Sequence, residues 1–282
     1  MLFRFFKFIL SILIIAVIVL ASVYFLYKKL NSPESRAAFT YYNDVCQDLI
    51  EKNEDCFRII EGWDNKEVSA YLVDKNFLSE NGFTEAAGAD SPLIKEFDFL
   101  QDKPANVDLE GYLFPDTYRI FKNSDSYDII RKMLANFNAK LTPELRQEIV
   151  KQKKSFFEVL TLASIIEKEV SEPEDMKMVA DIFYKRLKAG IALQSDATVN
   201  YATGKSLIQP TYQDLSVNSL YNTYRYPGLP PGPISNPGIN ALKAAIYPTP
   251  NPYYYFLTTE SGQAIYSKTY EEHLINKNKY LK

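Results

Sequence analysis

Leu160-Thr161-Leu162-Ala163-Ser164-Ile165-Ile166-Glu167-Lys168-Glu169 is the stretch on which the reading of this chain turns. From Phe156 to Val170 there is neither Gly nor Pro, and Ser155 with Glu158 three residues on offers a capping box, so the segment reads as a helix. Between Val159 and Ile166 the helix is apolar almost all round, which predicts that most of its circumference is buried. Glu167 ends the apolar run. Counting back along the helix, it shares a face with Ser164, Ala163, Leu160 and Phe157, a face that begins with a bulky ring and narrows to small side chains. A carboxyl group held there away from water has its charged form disfavoured and its pKa raised, the property a general acid needs near neutral pH. The competing reading is plainer: Glu-Lys-Glu after an apolar run is a helix emerging into solvent.

Outward from this helix, composition sets the class. The chain has 282 residues, 46% hydrophobic and 24% charged, enough for one sizeable or two small domains. A net charge of −3 offers no basic surface, so no nucleic acid is expected as a partner. The 21 Tyr and 18 Phe suit stacking on sugar rings, although a core and a membrane segment take many of them. Phe8–Tyr27 (FILSILIIAVIVLASVYFLY) carries no charge, and about 20 such residues cross a hydrocarbon layer of roughly 30 Å. Arg4 and Lys7 before it balance Lys28 and Lys29 after it, so flanking charge does not orient the span. Tyr24-Phe25-Leu26-Tyr27 is too bulky for a signal-peptide cleavage site, which makes an uncleaved anchor the expectation. Cys46 and Cys56 are the only cysteines. Outside the cytoplasm they can pair across a short loop, and free thiols fit the spacing as well.

The remaining pattern alternates helices with irregular, Gly- and Pro-punctuated segments. Residues 31–53 read as a polar spacer. Cys56 to Trp63 reads as a short strand closed by a Gly turn, and Asn65 to Leu72 as a helix. Residues 83–107 read as irregular with a short helix, and Pro115 keeps Phe114 out of a helical conformation. Amphipathic helices follow at Ser126–Phe137 and Thr142–Gln152, the second with Pro143 in its first turn. Another runs from Asp175 to Ala189 and is stopped by Gly190. Residues 193–201 read as a polar loop. Of the 15 prolines, 8 lie between Pro227 and Pro252, so that stretch is stiff without regular structure. A strand at 253–257 and a closing helix from Tyr270 to Lys282 complete an α+β chain.

Several chemistries lack their residues in this sequence. His273 is the one histidine, and no nucleophile-elbow motif accompanies it. One His and two clustered Cys do not make a usual zinc set, and no phosphate-cradling Gly-rich loop is present. Chemistry by carboxylate is what remains.

The quoted helix, Glu110-Gly111-Tyr112-Leu113-Phe114-Pro115-Asp116-Thr117-Tyr118, Leu193-Gln194-Ser195-Asp196-Ala197-Thr198-Val199-Asn200-Tyr201, Tyr221-Asn222-Thr223-Tyr224 and the Gly228–Gly238 run GLPPGPISNPG are together similar to the signatures of the YceG-like (MltG) family of endolytic murein transglycosylases. The resemblance covers roughly Cys56 to His273. Ala197 stands where the family has proline, and Ala264 where it often has a histidine. The resemblance implies Glu167 as the catalytic acid. It also implies Gln194, Ser195, Asp196 and Thr198 as contacts to sugar hydroxyls or N-acetyl groups, with Asn222 and Tyr224 as further substrate contacts. In the 110–118 segment, Tyr112 and Phe114 would floor a sugar subsite while Glu110 and Asp116 accept hydrogen bonds; the competing reading is a corner packed against the catalytic helix. His273 is expected to be structural.

The resemblance further implies an organisation of a short cytoplasmic terminus (1–7), a single membrane anchor (8–27), a juxtamembrane spacer (28–55), a small LysM-like module (56–107) and a mixed α+β catalytic domain with Gly/Pro-rich loops (108–282). The expected reaction is lytic cleavage of N-acetylmuramic acid–N-acetylglucosamine bonds within nascent peptidoglycan strands, leaving 1,6-anhydro ends and ending strand elongation. It needs no cofactor and no metal. Expected partners are glycan strands, the lipid bilayer through Phe8–Tyr27, and peptidoglycan synthases and division proteins, with the catalytic part outside the cytoplasm. A hydrolytic muramidase using Asp196 or Asp116 as a second carboxylate, and a non-catalytic wall-binding scaffold, are the alternatives.

Overall fold

The computed structural model describes residues 45–46, 52–207 and 209–281. The expected anchor, Phe8–Tyr27, lies outside the described residues, among which no helix is long and apolar enough to cross a membrane. The order runs β1 (Glu54–Arg58), α1 (Asn65–Asp74) and α2 (Glu80–Ala87), then two 3-10 turns, Pro92–Glu96 and Asp98–Leu100, and an irregular stretch leading to β2 (Thr117–Phe121). Next come α3 (Ser126–Lys140), α4 (Pro143–Lys151), α5 (Phe156–Glu169), α6 (Pro173–Lys188), α7 (Asp196–Thr203) and the single-turn α8 (Tyr212–Leu215). The chain closes with α9 (Ile239–Ile246), the hairpin β3 (Tyr255–Thr258) and β4 (Ala264–Ser267), and α10 (Tyr270–Tyr280). The architecture is the expected α+β.

Helix α5 forms as its sequence predicts. Ser155 Oγ accepts the Glu158 N–H at 3.1 Å while Glu158 Oε2 accepts the Ser155 N–H at 2.9 Å, the reciprocal cap that satisfies two orphan donors. Every residue from Val159 to Ile166 is buried. A helix apolar on all sides needs cover on all sides. Helices α6 and α9 pack against it, and the buried Ala241, Ala244 and Ala245 of α9 keep that contact close. The Pro-rich segment covers a further side. Ile234 N–H donates to Ser164 Oγ at 3.0 Å, and Ser235 Oγ donates to the Ser164 carbonyl at 3.0 Å. A stiff wall is thus stitched to the helix that carries Glu167.

Among the described residues both sheets are two-stranded antiparallel ribbons, a size that is not stable without packing. In the first, Phe57 faces Tyr118 and Cys56 faces Arg119. Phe57, Ile59 and Tyr118 join one continuous core with Val68 and Leu72 of α1 and with the buried face of α5. The expected boundary at 107/108 therefore runs between two strands that pair and share a core. Cys46 and Cys56, whose state the spacing leaves open, are disulfide-bonded with their Cα atoms 5.8 Å apart.

Three segments differ from expectation. Within 227–252, read as without regular structure, Ile239–Ile246, free of Gly and Pro, forms α9. The first strand ends at Arg58 rather than continuing to Trp63, and the chain turns sharply at Gly62, whose φ of +81° suits a residue without Cβ. Residues 196–203, read as loop, form α7. Its short polar side chains are those favoured at helix starts as well as in loops. Gln194 at φ 53° redirects the chain, Ser195 is extended at the N-cap, and Gly204 in the left-handed region stops the helix.

Candidate active site

Glu167 lies in the last turn of α5, where the helix leaves the core, and is half-buried. Its Oε2 accepts the Gly238 N–H at 3.0 Å. On its other flank the Gly62 turn comes close enough that a Cβ there would sit 3.5 Å from Glu167 Cγ. The neighbouring Lys168 Nζ donates to the Gly62 carbonyl at 3.0 Å, tying the turn to the helix end. Two further bonds hold the turn against the Pro-rich wall: Gly62 N–H to the Asn236 carbonyl at 2.9 Å, and Asn236 N–H to the Trp63 carbonyl at 2.7 Å. Burial pushes the Glu167 carboxyl up to about 7; the Gly238 N–H opposes this, the charge of Glu61 adds to it and Lys168 opposes it. A carboxyl of this kind holds and releases its proton in the neutral range, which is what acid and base steps at one group require.

A second acid occupies the same helical turn. The Glu169 side chain points to a different side of α5, where Ser195 Oγ donates to its Oε1. Burial raises Glu169 to about 7 as well, with Ser195 and Arg186 pulling down and Asp196 pushing up. The predicted sugar-binding segment gathers around this residue. Tyr224 Oη donates to Asp196 Oδ1 at 2.5 Å, and Arg186 Nη2 donates to Gln194 Oε1 at 2.8 Å. Gln194 is exposed and Asp196 partly so, whereas Ser195 is buried.

Of the other predicted contacts, Thr198, Asn222 and Glu110 have their polar groups occupied inside the protein, and Tyr112 is buried with its hydroxyl unpartnered. Thr198 is fully buried, its hydroxyl 2.7 Å from the Ser195 carbonyl, to which it donates, and 2.8 Å from Thr223 Oγ1. Asn222 is also fully buried, its Nδ2 donating to the carbonyls of Leu215 at 2.9 Å and Val217 at 3.0 Å. Both oxygens of the buried Glu110 accept the Asn65 N–H at the start of α1, at 3.1 Å, and Tyr201 Oη donates to it at 3.3 Å. Burial raises the Glu110 carboxyl well above its ordinary value. Tyr112 is fully buried, its ring near those of Phe99 and Phe156, the latter from α5. In this part the 110–118 segment forms a packed corner. Asp116 differs. It accepts from Asn136 Nδ2 at 3.0 Å, and it borders a recess of about 270 Å³ that Glu61 also lines. A larger recess, about 440 Å³, lies between α1 and α2 and does not include Glu167. His273 stacks on Tyr255 with ring centroids 5.6 Å apart, as a packing residue does.

Glu61, Glu169 and Gly238 are site residues that sequence reasoning passed over. Glu169 repeats Glu167 two positions on, and Glu61 stands in the Glu-Gly-Trp turn; both were visible as motif residues and neither pattern names a partner.

Fold and site define an α+β protein organised around a half-buried carboxyl whose proton affinity reaches the neutral range. The chain belongs to the YceG-like family, whose model matches residues 36–279. It is 38% identical over 226 residues to the endolytic murein transglycosylase of Bacillus subtilis, covering 78% of this chain and 59% of that protein. It is 34% identical over 210 residues to the protein of the same name from Streptococcus pneumoniae serotype 2, covering 72% of this chain and 37% of that one. The chain thus spans about three-fifths or less of the curated relatives it matches. A crystal structure of a yceG-like protein from Listeria monocytogenes superposes with a TM-score of 0.69 at 39% identity, covering 79% of this chain and 76% of that one.

Proposed function

We propose that this protein is an endolytic lytic transglycosylase of peptidoglycan and that Glu167 is its acid and base. The observation that carries this is a carboxyl half-buried at a helix end, raised to about 7, with one oxygen held by the Gly238 N–H. The naming of the relatives as endolytic murein transglycosylases supports the substrate class. Protonated Glu167 gives its proton to the glycosidic oxygen as the bond from the muramyl anomeric carbon breaks. The resulting carboxylate takes the proton of the muramyl 6-hydroxyl, whose oxygen closes onto the same carbon. Proton count balances, Glu167 ends as it began, and no water enters the product. One carboxyl therefore suffices where hydrolytic glycosidases use two. The exposed Gln194 and the partly exposed Asp196 and Tyr224 hold the sugar, while Thr198, Asn222 and Ser195 hold the loop that presents them.

On the same reading, Phe8–Tyr27 anchors the chain in the cell membrane with the catalytic part outside the cytoplasm, where the Cys46–Cys56 disulfide is at home. The β1–α2 region acts as a platform of LysM-like kind within the shared core, beside the main catalytic region. The substrate is nascent glycan, near the synthases and division proteins that produce it.

One observation favours a hydrolytic variant: Glu61 and Asp116 line one recess beside the site, and such a carboxylate can activate water. Mass spectrometry of digested glycan strands separates the two. The transglycosylase yields 1,6-anhydro ends, one water lighter than the reducing ends of hydrolysis; a digest with reducing ends alone overturns the proposal.

A further inference from the structure

Gly238 has φ −75° and ψ 173°, backbone angles that any residue adopts. Its backbone therefore does not require glycine, and a side chain there would displace the Glu61 carboxyl. A Cβ there would lie 2.0 Å from Glu61 Oε1 and 2.3 Å from Glu61 Cδ. The Glu61 carboxyl rests directly on the residue whose N–H is bonded to Glu167 Oε2 at 3.0 Å. Glu61 is delivered there by the tight turn at Gly62, itself fixed by the Asn236 and Lys168 bonds. The Glu-Gly-Trp turn thus places a second negative charge beside the first, through a glycine that leaves room for it.

From this contact we infer that Glu61 is a positioning residue for Glu167: its charge, laid across Gly238, adds to burial in favouring the neutral form of the catalytic carboxyl. The inference rests on the reading of Glu167 as the acid. The charges facing the pair are few. Burial raises the Glu61 carboxyl, Arg58 opposes its proton uptake and Asp116 favours it, while Glu167 faces Glu61 and Lys168. The Gly238 N–H stabilises the Glu167 anion and Glu61 destabilises it, so the glycine is where two opposite influences meet. Glu61 is exposed on its outer side, so its removal leaves the core intact.

The test is a ¹³C NMR titration of the 282-residue chain with labelled Glu side chains, the Glu167 carboxyl being assigned from its loss in Glu167→Gln. Glu61→Gln keeps the size of the side chain and removes its charge. The expected result is a Glu167 midpoint lowered by roughly half a pH unit or more, with an unchanged thermal unfolding temperature. Gly238→Ala, which forces the Glu61 carboxyl away, lowers the midpoint in the same direction. The alkaline limb of glycan cleavage moves acidward with it in Glu61→Gln. An unmoved Glu167 midpoint in Glu61→Gln overturns the inference whether or not the chain cleaves glycan. A midpoint moved in Glu61→Gln, alongside a wild-type protein that leaves glycan intact, upholds the contact and overturns the proposed activity.

Discussion

At Glu167 the decisive quantity is the free-energy difference between the charged and neutral carboxyl. Withdrawal from water favours the neutral form, and the single backbone donor from Gly238 does not offset it. Replacing Glu167 by Gln keeps the shape and the Gly238 contact but removes the transferable proton. Glycan cleavage is expected to fall by at least about 10²-fold with folding unchanged, measured as product release per enzyme; a Gln variant with wild-type rates would mean the proton comes from elsewhere. At this scale the sequence was only partly legible. The last turn of α5 announced a carboxyl at the edge of an apolar helix. It did not say which side chains would face it, because Glu61 and Gly238 reach it from distant parts of the chain. Thr198, Asn222 and Tyr112 carry groups that bind sugars on a surface and close hydrogen bonds or pack rings inside a core, and residue type alone does not separate those uses.

Helix α5 is both the centre of the core and the mount for the site, so its packing and its function are coupled. Leu160 is fully buried in the core. Leu160→Ala is expected to destabilise the protein by about 2–5 kcal/mol, through lost burial and an unfilled cavity, measured by urea unfolding. Ser164 is more specific. Its hydroxyl is the acceptor for the buried Ile234 N–H, and Ser164→Ala leaves that donor unsatisfied at a cost of about 1–3 kcal/mol. Because the same wall ends in Gly238, glycan cleavage is expected to fall further than the stability loss accounts for; an unchanged rate in a destabilised variant would show that wall and acid are uncoupled. Helices α3, α4 and α6 were readable in place from their period, although α3 runs on to Lys140 past the expected Phe137 and α6 starts at Pro173 before the expected Asp175. Elements were misread at α7, where the residues that start a helix are also those that make a loop, and at β1, where the apolar Ile59 and Ile60 extend the pattern beyond the paired residues.

Over the whole molecule, buried acids set how stability follows pH. Glu169 has a folded-state pKa of about 7 against an ordinary 4.5, so the folded form holds its proton more tightly than the unfolded chain does. Its stabilising effect is full below about pH 4.5 and is lost as pH rises through about 7. Glu110 and Glu167 are shifted in the same direction. Glu169→Gln retains the acceptor for Ser195 and removes the ionisation, and is expected to be more stable than wild type at pH 8 by on the order of 3 kcal/mol. The two should converge at pH 4; a constant difference across pH would assign the effect to packing. The α+β class and the helical core were legible in advance. That β1 and β2 weld the expected small module to the rest was not, since strand pairing across some sixty residues leaves no local mark. The measurement that bears most directly on the account is the pH dependence of kcat/KM for glycan cleavage by the intact protein. A single acid working from its protonated form predicts activity that is high in mildly acidic solution and falls with a midpoint near pH 7. Activity that rises through neutrality and persists into alkaline solution would contradict it.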